Sequence, residues 1–134
     1  AIYLEFADKS ALLREVLDGS RIQKWNWETA TETQIFHMEG SVNATGLNGG
    51  LTADLLGDWR EEQVVRSTDG SELRIYTTSI PSEHRLYTLM HDPQYRLSVA
   101  LQNVAYNQPP HTSYFLGHGM AALKQPNIRV VPRN

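Results

Sequence analysis

No cysteine occurs in the 134 residues, so neither a disulfide framework nor a thiolate metal site is available. That absence is compatible with a reducing or an oxidising compartment. There is no apolar run approaching the ~18 to 20 residues of a membrane-spanning helix. The opening, AIYLEFADKS, has neither the basic n-region nor the apolar h-region of a signal peptide. Charge of one sign is lacking too: 12 basic and 15 acidic side chains are intermixed for a net charge of −3. This leaves no basic stripe to neutralise phosphates and argues against nucleic-acid and membrane partners. An initiator Met is missing, and the chain opens inside an expected strand, so we expect the earlier part of a longer polypeptide upstream of Ala1.

What the chain does have is short strand-like segments bounded by turn residues, with a hydrophobic content of 40%, enough for one modest core. A first group comprises residues 2–6, 12–17, 21–27 and 33–38, with Asp18-Gly19 as a tight hairpin turn. A second comprises 51–55, 62–67, 73–78 and 86–90, with Asp69-Gly70 turning between its middle two. A third, incomplete group is expected at 96–102, 113–116 and 128–131, and His91-Asp92-Pro93 at a fixed turn between strands. Helix is the lesser alternative for 11–17, where helix formers follow Ser10, and one short turn is allowed at 119–124. The Asp-Gly turns recur at about the ~40- to 50-residue scale of propeller blades. Short, evenly spaced strands suit a β-sandwich as well, and periodicity leaves both open. Either way the fold class is all-β.

The most specific feature is residues 85–119, RLYTLMHDPQYRLSVALQNVAYNQPPHTSYFLGHG. Two further stretches accompany it: LDGSRIQKWNWE at 17–28 and LTADLLGDWREEQVVRSTDGSELRIYTTSIP from Leu51 onward. Together they closely resemble the C-terminal portion of family 11 rhamnogalacturonan lyases, over nearly the whole chain. The resemblance implies residues 1–134 as a C-terminal fragment of a catalytic eight-bladed β-propeller, two to three blades long. The remaining blades of the same polypeptide are then its partners. It also implies cleavage of rhamnogalacturonan I, the pectic backbone of alternating rhamnose and galacturonate, by β-elimination with calcium, in a secreted or periplasmic protein.

Residue by residue, the family's sugar-contacting Asn-Gly-Thr loop corresponds here to Asn43-Ala44-Thr45, and its Tyr-Asn-Gln-Pro-Pro tyrosine to Tyr106. Asn43 and Thr45 carry groups that hydrogen-bond hydroxyls, and Tyr106 offers a flat face with a phenol tip. Ala44 stands where the family has Gly, and Gly46 where it has Lys. These departures define the alternative, a non-catalytic carbohydrate-binding paralogue. Asp54, Asp58, Glu61 and Glu62 form the densest acidic cluster; Asp58 and Glu61 are the first choices as calcium ligands, joined by the amide oxygens of Asn103 and Asn107. The rival reading pairs the acids with Arg60 and Arg66 in surface ion pairs. The catalytic base is not assigned. His111 is expected to be structural, and at least two of Trp25, Trp27 and Trp59 are expected in the core.

Overall fold

The computed structural model describes residues 2–4, 14–42, 50–102, 104 and 108–133. Among these residues two four-stranded antiparallel sheets are followed by one α-helix. The first sheet is a meander in the order β1 (Ile2–Leu4), β2 (Glu15–Asp18), β3 (Arg21–Asn26), β4 (Thr31–His37). β2 and β3 meet through Gly19-Ser20, because Asp18 pairs with Arg21. The expected Asp-Gly hairpin is therefore present, with its turn one residue later. Gly19 takes φ +57, which a side chain would resist.

The second sheet is built around β7 (Glu62–Ser67). β8 (Leu73–Tyr76) pairs with one edge of it. The other edge is shared by two short strands, β5 (Ser41–Val42) and β6 (Leu51–Ala53). At the β7–β8 turn, Gly70 takes φ +73 while the Asp69 carboxylate accepts hydrogen bonds from Ser67 Oγ at 2.5 Å and from Ser71 N at 3.1 Å. Asp-Gly chemistry thus works here as its sequence suggests: a carboxylate that organises local donors next to a residue free to adopt φ > 0.

A first core cluster ties the sheets together: Leu17 and Ile22 from the first, Val65 from β7, and Met38 from the connection, with Tyr76 packed against them. A second gathers Trp59, Leu89, Tyr95 and Leu116 beneath the helix. Of the tryptophans only Trp59 is core; Trp25 is 47% and Trp27 76% exposed, against the expectation of two buried.

The expected third group of strands is not formed. Residues 93–101 are instead a helix, α1 (Pro93–Leu101). Asp92 caps it by accepting from Gln94 N at 3.1 Å, and Pro93 occupies the first turn, where its missing N–H costs nothing. The polar–apolar alternation from Arg96 to Val99 imitates the start of a strand, but a strand needs a neighbour for its backbone, and this segment satisfies its own. Residues 86–90 are likewise not a strand but lead into a 3₁₀ turn, Leu89–His91. Their polar groups are taken by side chains: Asp54 Oδ2 accepts from Leu89 N and from Thr88 Oγ1, both at 2.7 Å. At 113–116 the amide of Ser113 donates to Asp92 Oδ2 at 2.5 Å, and Val130 and Val131 are 88% and 83% exposed with no strand beside them. The observed class is mostly β with one helix.

Candidate functional site

The split edge of β7 is the structural origin of the loop at 43–49. Val42 pairs with Arg66 and Leu51 with Val64, so the chain leaves the sheet and rejoins it across a single β7 residue, Val65. Asn43, Ala44 and Thr45 lie outside the described residues, as do Tyr106, Asn103 and Asn107; what the structure describes is where these segments are rooted. At the rejoining point Gly50 is required by contact: a Cβ there would sit 2.8 Å from the carbonyl oxygen of Val64. That is inside van der Waals distance of a backbone atom that cannot rotate away.

Among the described residues the outer edge of β6 has no neighbouring strand, and α1 closes it with side chains. Thr52 N donates to Gln102 Oε1 at 2.7 Å and Gln102 Nε2 donates to Thr52 O at 2.9 Å, so the amide reproduces both bonds of a strand partner. Two residues on, Asp54 N donates to Tyr95 Oη at 3.0 Å, and that hydroxyl donates to Glu61 Oε1 at 2.6 Å. Tyr95 and Gln102 are seven positions apart and so share one face of the helix. Tyr95, Gln102, Thr52, Asp54 and Glu61 are all buried. Burial first, then the neighbouring Glu61 charge, raises the Tyr95 phenol far above the usual tyrosine range, so it remains a donor at any ordinary pH.

The acidic cluster is dispersed rather than convergent. Asp58 closes on Arg60, whose Nε donates to Asp58 Oδ2 at 3.1 Å. Glu61 is held under Tyr95. Glu62 accepts from the amides of Leu55 at 2.8 Å and Leu56 at 3.1 Å and from Thr77 Oγ1 at 3.0 Å, serving as a loop cap. Among the described residues no group of three or more His, Asp or Glu side chains is arranged to hold a metal. Among the described residues the buried side-chain polar atoms without a partner are Asp54 Oδ1 and Tyr114 Oη. The Tyr114 phenol is pushed up to about 12 by burial and then by the Asp92 and Asp54 charges. His111 is exposed as a residue, and partial desolvation of its ring, then the Arg14 charge, lowers its pKa. Separately, a cavity of about 390 Å³ opens between the two sheets, lined by Lys24, Phe36, Tyr76 and Thr78 among others.

Residues 3–126 match the family described as rhamnogalacturonan lyase family 11, C-terminal domain. The chain belongs to this family. It is 59% identical over 119 residues to rhamnogalacturonan endolyase YesW of Bacillus subtilis (strain 168), a match covering 87% of this chain and 19% of that protein. With rhamnogalacturonan exolyase YesX of the same organism the identity is 46% over 129 residues, covering 89% and 21%. The crystal structure of rhamnogalacturonan lyase YesW superposes with a TM-score of 0.90 at 52% identity, over 97% of this chain and 22% of that one. The chain thus spans about a fifth of the length of these lyases.

Of the positions singled out in the sequence, those of the lyase domain that are described here, Asp58 and Glu61, each already hold a partner. Sequence reasoning missed Tyr95, Gln102 and Thr52. The available signal was Asp92-Pro93: read as a helix start, it places Tyr95 and Gln102 on one face, looking back at the edge of a strand.

Proposed function

We propose that this domain is the C-terminal part of the catalytic unit of a rhamnogalacturonan lyase, and that it supplies one wall of the sugar groove through Asn43, Ala44, Thr45 and Tyr106. The observation that carries the proposal is the match along nearly the whole chain to lyases of both endo and exo type. The unit is read as residues 1–134 of an eight-bladed β-propeller in a secreted or periplasmic protein, with the remaining blades of the same polypeptide packed on faces left open here. In support, every residue of β4 is exposed, Ile35 and Phe36 included, so this strand has room for a cover.

In the reaction the C5–H of galacturonate loses its proton to a base and the C4–O bond breaks. A C4=C5 double bond then remains on the product, and the departing rhamnose oxygen takes up a proton. Carboxylate charge grows as the C5 proton leaves, so the proposal turns on groups that hold the uronate in register and donate to it. Asn43 and Thr45 are cast as hydrogen-bond partners of hydroxyls and Tyr106 as a stacking face.

Calcium belongs to the proposal as the cofactor of the intact enzyme, where a hard divalent ion supplies charge stabilisation near the uronate carboxylate. The described donors are not a ready cage. Asp58 already accepts from Arg60 and Glu61 from Tyr95, so a calcium shell built on them with Asn103 and Asn107 shares its carboxylates with these donors. No step is routed through the metal.

The test is an elimination assay on rhamnogalacturonan I with the intact protein, following absorbance of the unsaturated uronate, with and without a chelator. Product that disappears on chelation is expected. A complete, folded protein that binds the polysaccharide but forms no unsaturated product would move the assignment to the non-catalytic paralogue, which Ala44 and Gly46 favour.

A further inference from the structure

We propose that Phe115 is the stacking platform of a sugar subsite, with Lys124 beside it to receive the carboxylate of a neighbouring uronate. The inference takes its ligand, an acidic pectic glycan, from the lyase reading above, and the subsite is built from described residues alone.

Phe115 is 70% exposed, yet the chain holds it in place. The residues on either side, Tyr114 and Leu116, both turn into the second core cluster, so the backbone is anchored and the ring between them is directed outward. Thr112 Oγ1 adds a hydrogen bond to the Tyr114 carbonyl at 2.6 Å. The Phe115 ring then lies against Gly117, where a Cβ would meet Phe115 Cζ at 2.7 Å. Gly117 has no positive φ, so what its missing side chain accommodates is the ring. A single exposed apolar residue is ordinary on a protein surface. One anchored by both neighbours and seated on a glycine presents a fixed flat face, as stacking requires.

Two cavities share that ring. One, of about 420 Å³, is lined by His91, Tyr114, Phe115 and Lys124 among others; the second, of about 300 Å³, is lined by Arg14, Tyr114 and Phe115 among others. Both sit at the lower end of the roughly 300–1,000 Å³ usual for small-ligand sites. The wall of the first is fixed: His91 stacks on Tyr114 with ring centroids 6.1 Å apart and 17° between planes, and His91 Nδ1 donates to Thr88 O at 2.5 Å. Lys124 is exposed and among the described residues forms no ion pair, so its ammonium is available to a ligand. The acids close to Tyr114 are Asp92 and Asp54, both buried and both already accepting from backbone amides.

This composition selects among ligands. An apolar protein surface would cover Phe115 but gain nothing from a cation in each adjoining cavity. A pyranose offers a C–H face to an aromatic ring, and a uronate adds a carboxylate that an ammonium or guanidinium binds. In a glycan of alternating charged and uncharged sugars, the neighbours of an uncharged sugar stacked on Phe115 are the charged ones. The cavities that share Phe115 each hold a cation, Lys124 in one and Arg14 in the other.

The experiment uses the intact lyase and two ligands. Rhamnogalacturonan I oligosaccharide is read by steady-state elimination; the same oligosaccharide with its carboxyls reduced to alcohols, which cannot undergo elimination, is read by calorimetry. Phe115→Ala should raise KM roughly 3- to 30-fold with kcat kept, and weaken binding of the reduced oligosaccharide to a similar degree. Lys124→Gln should raise KM about 2- to 5-fold and leave the reduced oligosaccharide unaffected. Gly117→Ala keeps the ring but unseats it, and should follow Phe115→Ala, whereas Phe115→Trp should retain both affinities. If Phe115→Ala fails to fold, Phe115→Leu decides in its place. An unchanged KM in a folded Phe115→Ala or Phe115→Leu overturns the subsite, and a lowered Tm in the same variant then shows the ring covered by another part of the polypeptide. Lys124→Gln weakening both ligands alike overturns the carboxylate role. An unmodified protein that forms no product yet binds the reduced oligosaccharide through Phe115 overturns the lyase reading and leaves the subsite standing.

Discussion

Removing one oxygen atom from Tyr95 should cost more than most core truncations of similar size. Phe fills the same space, so no cavity opens; what changes is that Glu61 Oε1 loses a donor at 2.6 Å and Asp54 N an acceptor at 3.0 Å. Glu61 and Asp54 are 2% and 1% exposed, so water does not replace the lost partner freely. An unsatisfied buried group costs about 1–3 kcal/mol, so the sum for two is about 2–6 kcal/mol. For a domain of this size that is a drop in Tm of roughly 7–20 °C. Urea and thermal unfolding followed by the fluorescence of Trp59, which shares the Tyr95 core cluster, reads the change at the right place.

The same hydroxyl gives a pH signature. Its pKa in the folded state is raised above the ordinary tyrosine value of 10.0. Below that value both states hold the proton and the stabilisation is fully present. Above it the unfolded chain releases a proton that the folded one keeps, so stability falls as pH rises. Stability should decline above about pH 10 by ~1.4 kcal/mol per pH unit for each such group, and Tyr95→Phe should flatten the slope. A loss below about 0.5 kcal/mol on substitution, within the range of an uninvolved site, together with an unaltered alkaline slope, would refute the reasoning.

Three other outcomes are expected. Gly50→Ala forces a Cβ to 2.8 Å from Val64 O, and overpacking against backbone should cost about 1–3 kcal/mol; unfolding midpoints measure it, and an unchanged midpoint would show that the 43–49 segment rejoins β7 elsewhere. Asp69, whose carboxyl is lowered to about 2 by the Ser67 hydroxyl and then by Ser71, should titrate near that value by carboxyl NMR; its stabilisation is present above pH 3.8 and lost as pH falls toward 2. A normal titration would mean the turn is open in solution. Asp92→Ala removes the α1 cap and the acceptor for Ser113 N together, so it should cost at least the ~1 kcal/mol of a lost N-cap and reduce helical circular dichroism.

Much of the fold was written locally. β7 falls at Glu62–Ser67, where a strand is expected, and β3 within one residue of its expected end. Each Asp-Gly pair marks a hairpin, because turn chemistry acts over four or five residues and does not wait for distant partners. Where a local strand-like pattern was the sole signal it misled: the Arg96 to Gln102 segment is helical through Leu101, and among the described residues the valines at 130 and 131 have no strand to pair with. A strand exists only by virtue of its neighbour, and neighbours are a tertiary fact.

For the site, the division is similar. Membership in the lyase family was legible in motifs such as Tyr106-Asn107-Gln108-Pro109-Pro110, since they need no folding to be read. The fate of the acidic cluster was legible only in part: Asp58 meets Arg60, as the rival reading had it, but Glu61 meets Tyr95 through a helix that residue spacing alone does not encode. Nor did any local pattern mark Gln102, an ordinary amide in the sequence. Its importance arises when α1 lies along the open edge of β6 and a backbone donor and acceptor, buried together, demand a partner. Sequence carried the turns, the strand chemistry and the family; only the packed chain decided which polar groups lose water, and therefore which side chains must answer them.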